Sequence, residues 1–113
     1  MEKHILKIRE ADKIFFDVIE DGRKTIETRA ATPQYRKIER GDVLVFRCGE
    51  QTIEKKVKGV YLFENIDELL NRFDLDDVMP HISSRGEAKK AWMSFPGYQE
   101  KISKYGLIAW TLG

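Results

Sequence analysis

Apolar and polar residues alternate along the chain with two periods, and the switches between those periods predict its elements. His4 to Ile8 alternates with a two-residue period, a short first strand. The period then lengthens. Ala11, Ile14, Phe15, Val18 and Ile19 recur at helical spacing, an amphipathic helix of about three turns that ends at Gly22. From Thr25 to Arg29 the β-branched Thr25, Ile26 and Thr28 favour a second strand, with Thr25, Glu27 and Arg29 on one face and Ile26 and Thr28 on the other. Ile26 is assigned to the core, so the polar face is expected at a surface or cleft. Ala31 to Arg40 carries Pro33 and no clear period and reads as a loop. After the turn signal Gly41-Asp42, Val43 to Cys48 is a dense apolar run expected as a central strand, and Gly49-Glu50-Gln51 connects it to a longer strand from Thr52 to Phe63. Gly59 interrupts that strand where a bulge fits.

Helices follow. Asn65 with Glu68 three residues on has the spacing of an N-cap, and Ile66, Leu69, Leu70 and Phe73 form the apolar stripe behind it. Ser84 and Glu87 form a second capping box, with Ala88, Ala91, Trp92 and Phe95 on one face and Pro96-Gly97 as the stop. Tyr98 to Tyr105 reads as another turn or two of helix, closed by Gly106, and Leu107 to Leu112 as the last strand. Five short strands with hairpin connections and little βαβ repetition predict an α+β, mainly β architecture: a small closed or nearly closed barrel with helices outside. Its core is expected to hold Ile26, Val43, Val45, Ile108 and Trp110.

At 113 residues the chain is expected to form one domain, residues 1–113, with a single core. No apolar run approaches the roughly 20 residues of a membrane span, and Met1-Glu2-Lys3-His4 has no signal-like apolar core, so a monomeric cytoplasmic protein is expected. One cysteine, Cys48, leaves no internal disulfide, and with only His4 and His81 beside it neither a metal site nor a cofactor is expected. Charge is uneven. Residues 1–22 hold four basic and six acidic groups, residues 23–58 ten and five, and residues 59–113 six and eight. A basic middle segment suits an anionic partner such as RNA or a nucleotide, and equally a solvated sheet surface whose acids come from neighbouring elements.

The densest polar chemistry is Gly22-Arg23-Lys24-Thr25-Ile26-Glu27-Thr28-Arg29, in which four ionisable groups fall between Arg23 and Arg29. A lysine and a glutamate in one cleft can perform acid–base work if burial shifts them. Alternatively Glu27 pairs with Lys24 or Arg29 and orders the turn. Tyr35-Arg36-Lys37 offers an aromatic platform beside cations, suited to single-stranded bases and phosphates. Ser83 and Ser84 precede a helix whose free N–H groups suit a phosphate, while Ser84 also serves simply as the cap. Trp92 and Trp110 lie on apolar patterns and are assigned to packing.

The run from Gly22 to Arg29 after an amphipathic helix, Gly41-Asp42 before a strand, the serine-rich cap, the Phe95-Pro96-Gly97-Tyr98 turn and the final strand resemble the ASCH family, whose fold is similar to the PUA barrel of RNA-modification proteins. The resemblance implies an RNA-binding module whose cleft beside the barrel holds Lys24, Glu27 and Arg29 at signature positions. Thr25, Tyr35, Arg36, Lys37, Ser83 and Ser84 complete the expected nucleic-acid-binding set. Some members are amidohydrolases acting on 4-N-acetylcytidine, which implies Lys24 and Glu27 as catalytic residues in an alternative reading. In those hydrolases a threonine stands where this chain has Glu27. Their further glutamate falls near His81, with Asp76, Asp77 and Glu87 the nearest carboxylates here. A protein-interaction adaptor is a third expectation, since fold does not fix function.

Overall fold

A computed structural model describes residues 1–113. The strands are β1 (Lys3–Lys7), β2 (Ile26–Ala30), β3 (Val43–Cys48), β4 (Gln51–Phe63) and β5 (Leu107–Leu112). The helices are α1 (Lys13–Glu20), α2 (Pro33–Arg36), α3 (Ile66–Arg72), α4 (Leu75–Val78), α5 (Arg85–Ser94) and α6 (Tyr98–Tyr105), with a 3-10 turn at Glu10–Asp12. The predicted caps form as spaced: Asn65 accepts the Glu68 N–H and Ser84 the Glu87 N–H. Two short elements were not legible. The expected loop after β2 contains α2, started by Pro33, and α4 has no periodic stripe in its four residues.

The fold is α+β, with one mixed five-stranded sheet in the order β1-β3-β4-β5-β2. β1 runs parallel to β3 and every other pairing is antiparallel. β4 serves both halves, pairing with β3 up to Lys56 and with β5 from Val57, and the register shifts between Val57 and Gly59. Gly59 sits at that bend because a Cβ there would press on the Thr111 hydroxyl and the Tyr61 ring. The expected barrel closure is not made: β1 and β2 remain edge strands, with no ladder between them. One side-chain bond crosses the gap, from Arg29 Nη1 to the Lys7 carbonyl at 3.2 Å.

Two hydrophobic clusters pack on opposite faces of the sheet. The first gathers Leu6, Leu44, Phe46, Val57, Ile108 and Trp110 with Phe16 and Ile19 of α1. The second gathers Ile26, Ala30, Leu107 and Ala109 with apolar residues of α3 to α6, among them Leu69, Trp92 and Ile102. This corrects two sequence expectations. In β3 the inward residues are Leu44, Phe46 and Cys48, while Val43 and Val45 are only half-buried. A strand apolar at consecutive positions carries no phase, and the register with β4 decides it. Ile26 is buried as expected, but against the helices rather than in the core with Trp110. No helix is long and apolar enough to cross a membrane.

Candidate functional site

The phase of β2 determines the site. Glu27 and Arg29 lie opposite Trp110 and Ile108 of β5, on the face of the first cluster, whereas Thr28 and Ala30 lie opposite Ala109 and Leu107 on the helix-covered face. The polar side of β2 therefore points into the gap between the two edge strands. Thr28 is fixed on the other side by Trp92, whose Nε1 donates to its hydroxyl at 3.0 Å. Lys24 enters from the connection after α1. Gly22 takes a left-handed φ of +86° and the Lys24 N–H returns to the Val18 carbonyl, which folds the chain back and turns the lysine inward.

Lys24, Glu27 and Arg29 form one buried cluster, their side chains 1%, 8% and 13% exposed. Lys24 Nζ donates to the Val78 carbonyl and lies 3.4 Å from Glu27 Oε1. Glu27 Oε1 also accepts the Thr28 N–H at 2.9 Å, and Oε2 accepts from Arg29 Nη2 at 3.2 Å. Burial lowers the Lys24 pKa, with the attraction of Glu27 opposing it. For Glu27 burial pushes upward, but Lys24 and Arg29 outweigh it and hold the carboxyl below its ordinary value. Burial works against the Arg29 charge too, yet Glu27 raises its pKa. The cluster thus holds two cations against one carboxylate.

These side chains line a pocket of about 160 Å³ at the seam. Lys7, Ile8 and Arg9 approach from the end of β1, Phe15 from α1, and Phe95, Pro96 and Tyr98 from the turn between α5 and α6. Lys7, Arg9, Lys24 and Arg29 face only Asp12 and Glu27 among its lining charges. Asp12 is taken by Arg9, 2.7 Å away. Burial raises the Tyr98 pKa, so its phenol stays protonated. An ammonium has three N–H groups and a guanidinium five. Lys24 uses two and Arg29 two, while the Glu27 oxygens are already occupied by three donors. The unspent polar capacity of the Lys24–Glu27–Arg29 cluster is therefore donor capacity, fitted to carbonyl, ring-nitrogen or phosphate acceptors.

The structure brings together only part of the expected set. Lys24, Glu27 and Arg29 converge as the motif suggested. Thr25 precedes β2 and is exposed, bonded through its backbone to Asp77 and Leu112. Tyr35 stands edge-on to Trp110, 6.0 Å between centroids, and lies outside this pocket, with Arg29 5.8 Å from its ring. Arg36 bonds the carbonyls of Ala31 and Tyr105, at 2.7 and 2.8 Å. Lys37 is exposed, and Ser83 and Ser84 sit at the far end of α5 from Phe95, outside the lining. His81 packs edge-on to Phe15 at 4.6 Å and is also outside, its pKa lowered by burial and by Lys24 and Arg23. Asp76, Asp77 and Glu87 do not line the pocket. Lys7, Arg9, Phe15, Phe95 and Tyr98 line the site in addition to the residues expected from the sequence. The Phe95-to-Tyr98 turn carried a signal, but nothing local marks Lys7 and Arg9, which reach the site through the pairing of β1 with β3.

The ASCH domain model matches residues 11–112. Two solved structures share the architecture. The crystal structure of hypothetical protein PH0355 is 27% identical with a TM-score of 0.84, covering 99% of this chain and 97% of the other. The solution structure of protein PF0455 from Pyrococcus furiosus is 28% identical with a TM-score of 0.76, covering 99% and 96%. No curated protein matches the chain at a significant level.

Proposed function

The chain belongs to the ASCH domain family, and on that premise we propose that it binds single-stranded RNA by taking one base into the seam pocket while the phosphates meet the basic rim. The observation that carries this reading is the buried Lys24–Glu27–Arg29 cluster, whose spare donors face a pocket about as large as one ring: roughly 150 Å³ accommodates benzene. Phe15, Phe95 and Tyr98 supply apolar wall, and Lys24 and Arg29 supply donors for base carbonyls. Lys7 and Arg9 at the rim add sequence-independent attraction for the backbone.

Hydrolysis of an acylated nucleoside is the second reading, favoured by one observation: burial lowers the Lys24 pKa and brings the amine nearer to proton transfer. Glu27 is poorly suited to act as base there, being held charged with its oxygens occupied.

Fluorescence anisotropy of a labelled single-stranded RNA, at several salt concentrations, tests the first reading. Binding is expected to weaken as salt rises. Lys24→Arg keeps the charge and is expected to retain most of the affinity, while Lys24→Met loses about tenfold, roughly the 1.4 kcal/mol of one charged hydrogen bond. No RNA binding at low salt, or full affinity in a folded Lys24→Met variant, overturns it. Incubation with 4-N-acetylcytidine followed by chromatography separates the second reading: cytidine released by the parent and by neither Lys24 variant assigns catalysis to the pocket.

A further inference from the structure

Beside the seam pocket lies a wider concavity of about 370 Å³, lined in part by Thr32, Gln34, Tyr35 and Lys101, with Arg29 and Tyr98 shared between the two. Two features of it are unspent. Its only charged lining residues are Arg29 and Lys101, so it is cationic with no acid. Lys101 enters none of the molecule's ion pairs, and its Nζ folds back toward Gly97, at the start of α6. That is an uncomfortable place for a cation, since a helix start is itself positive, and an anion between them relieves both.

Resting on the seam pocket as a base site, we propose that this concavity is a second nucleotide subsite, which takes the phosphate and the neighbouring nucleotide of the same strand. Arg29 stands in the wall common to both pockets. Two of its N–H groups are used, and the remainder are placed for a phosphodiester leaving the first pocket. Lys101 provides the second charge, Gln34 provides a hydrogen-bonding amide, and the rings of Tyr35 and Tyr98 provide apolar surface for the next ribose or base. A concavity more than twice the size of its neighbour exceeds the needs of a phosphate alone. The smallest complete ligand is then a dinucleotide, and a free nucleoside fills half the site.

Calorimetric titration of the intact protein with uridine, cytidine, UpU and CpC tests this. The dinucleotide with the preferred base is expected to bind at least about tenfold tighter than its nucleoside, one charged contact's worth. Lys101→Glu, at an exposed position, is expected to erase that gain and leave nucleoside affinity unchanged. Equal affinity for nucleoside and dinucleotide, or a gain that survives in Lys101→Glu, overturns the second subsite and leaves the seam pocket standing. Failure of both ligand classes to bind overturns the seam reading and this one with it.

Discussion

Glu27 and Asp42 are the two buried acids of the molecule, and they are built to different ends. Asp42 accepts the backbone N–H groups of Glu2 at 3.1 Å and Glu39 at 3.0 Å, and His4 Nε2 stands 2.9 Å from it. Those bonds lower its pKa to about 2, the backbone donors contributing most. The arrangement clasps the start of β1 to the turn before β3, and its backbone donors have no capacity left over. Glu27 accepts a backbone N–H too, but its other partners are Lys24 and Arg29, which bring more N–H groups than one carboxylate consumes. Burial and ion pairing alone do not mark a site. What separates the seam from the clasp is surplus donor capacity beside an open concavity.

The largest effect expected from breaking this contrast is at Glu27. Glu27→Gln keeps the shape but leaves two cations buried without a counter-charge, and the expected loss is about 3 to 5 kcal/mol of stability. Denaturant unfolding checks it. A midpoint equal to the parent's would mean that the cluster is hydrated enough to behave as a surface pair.

Asp42 sharpens the contrast through pH. Its folded pKa lies below the ordinary 3.8, so its contribution is complete above that value and is lost as pH falls toward about 2. Thermal melts of the parent are expected to decline across that window more steeply than those of Asp42→Asn, and the two curves should converge at its acid end. Parallel curves would assign the acid sensitivity elsewhere.

The smallest effect concerns cations outside the seam. Arg36 holds the Ala31 and Tyr105 carbonyls with two hydrogen bonds, so Arg36→Ala is expected to cost about 1 kcal/mol in a melt. Lys37, exposed and outside both pockets, is expected to leave stability unchanged when replaced by alanine. If Arg36→Ala weakens RNA binding as much as Lys24→Met does, the binding surface extends beyond the seam.

The sequence by itself determined what acts over a few residues. The caps at Asn65 and Ser84, the hairpin at Gly49, the bend at Gly59 and the helix from Tyr98 follow from short-range backbone chemistry, and each appears at its expected place. The grouping of Lys24, Glu27 and Arg29 was legible for the same reason, since six residues of turn and strand hold them together. Only the tertiary structure decided which way β2 faces. Its flanking residues Ile26 and Ala30 are buried as fully as Glu27, so alternation had no solvent side to point to. The same holds for Val43 to Cys48, apolar at successive positions until β4 fixes the register. Barrel closure was likewise beyond local reading, because it depends on two edge strands with the whole of residues 8–25 between them. Their gap holds a buried ion cluster in place of a backbone ladder, and that substitution is what opens the pocket.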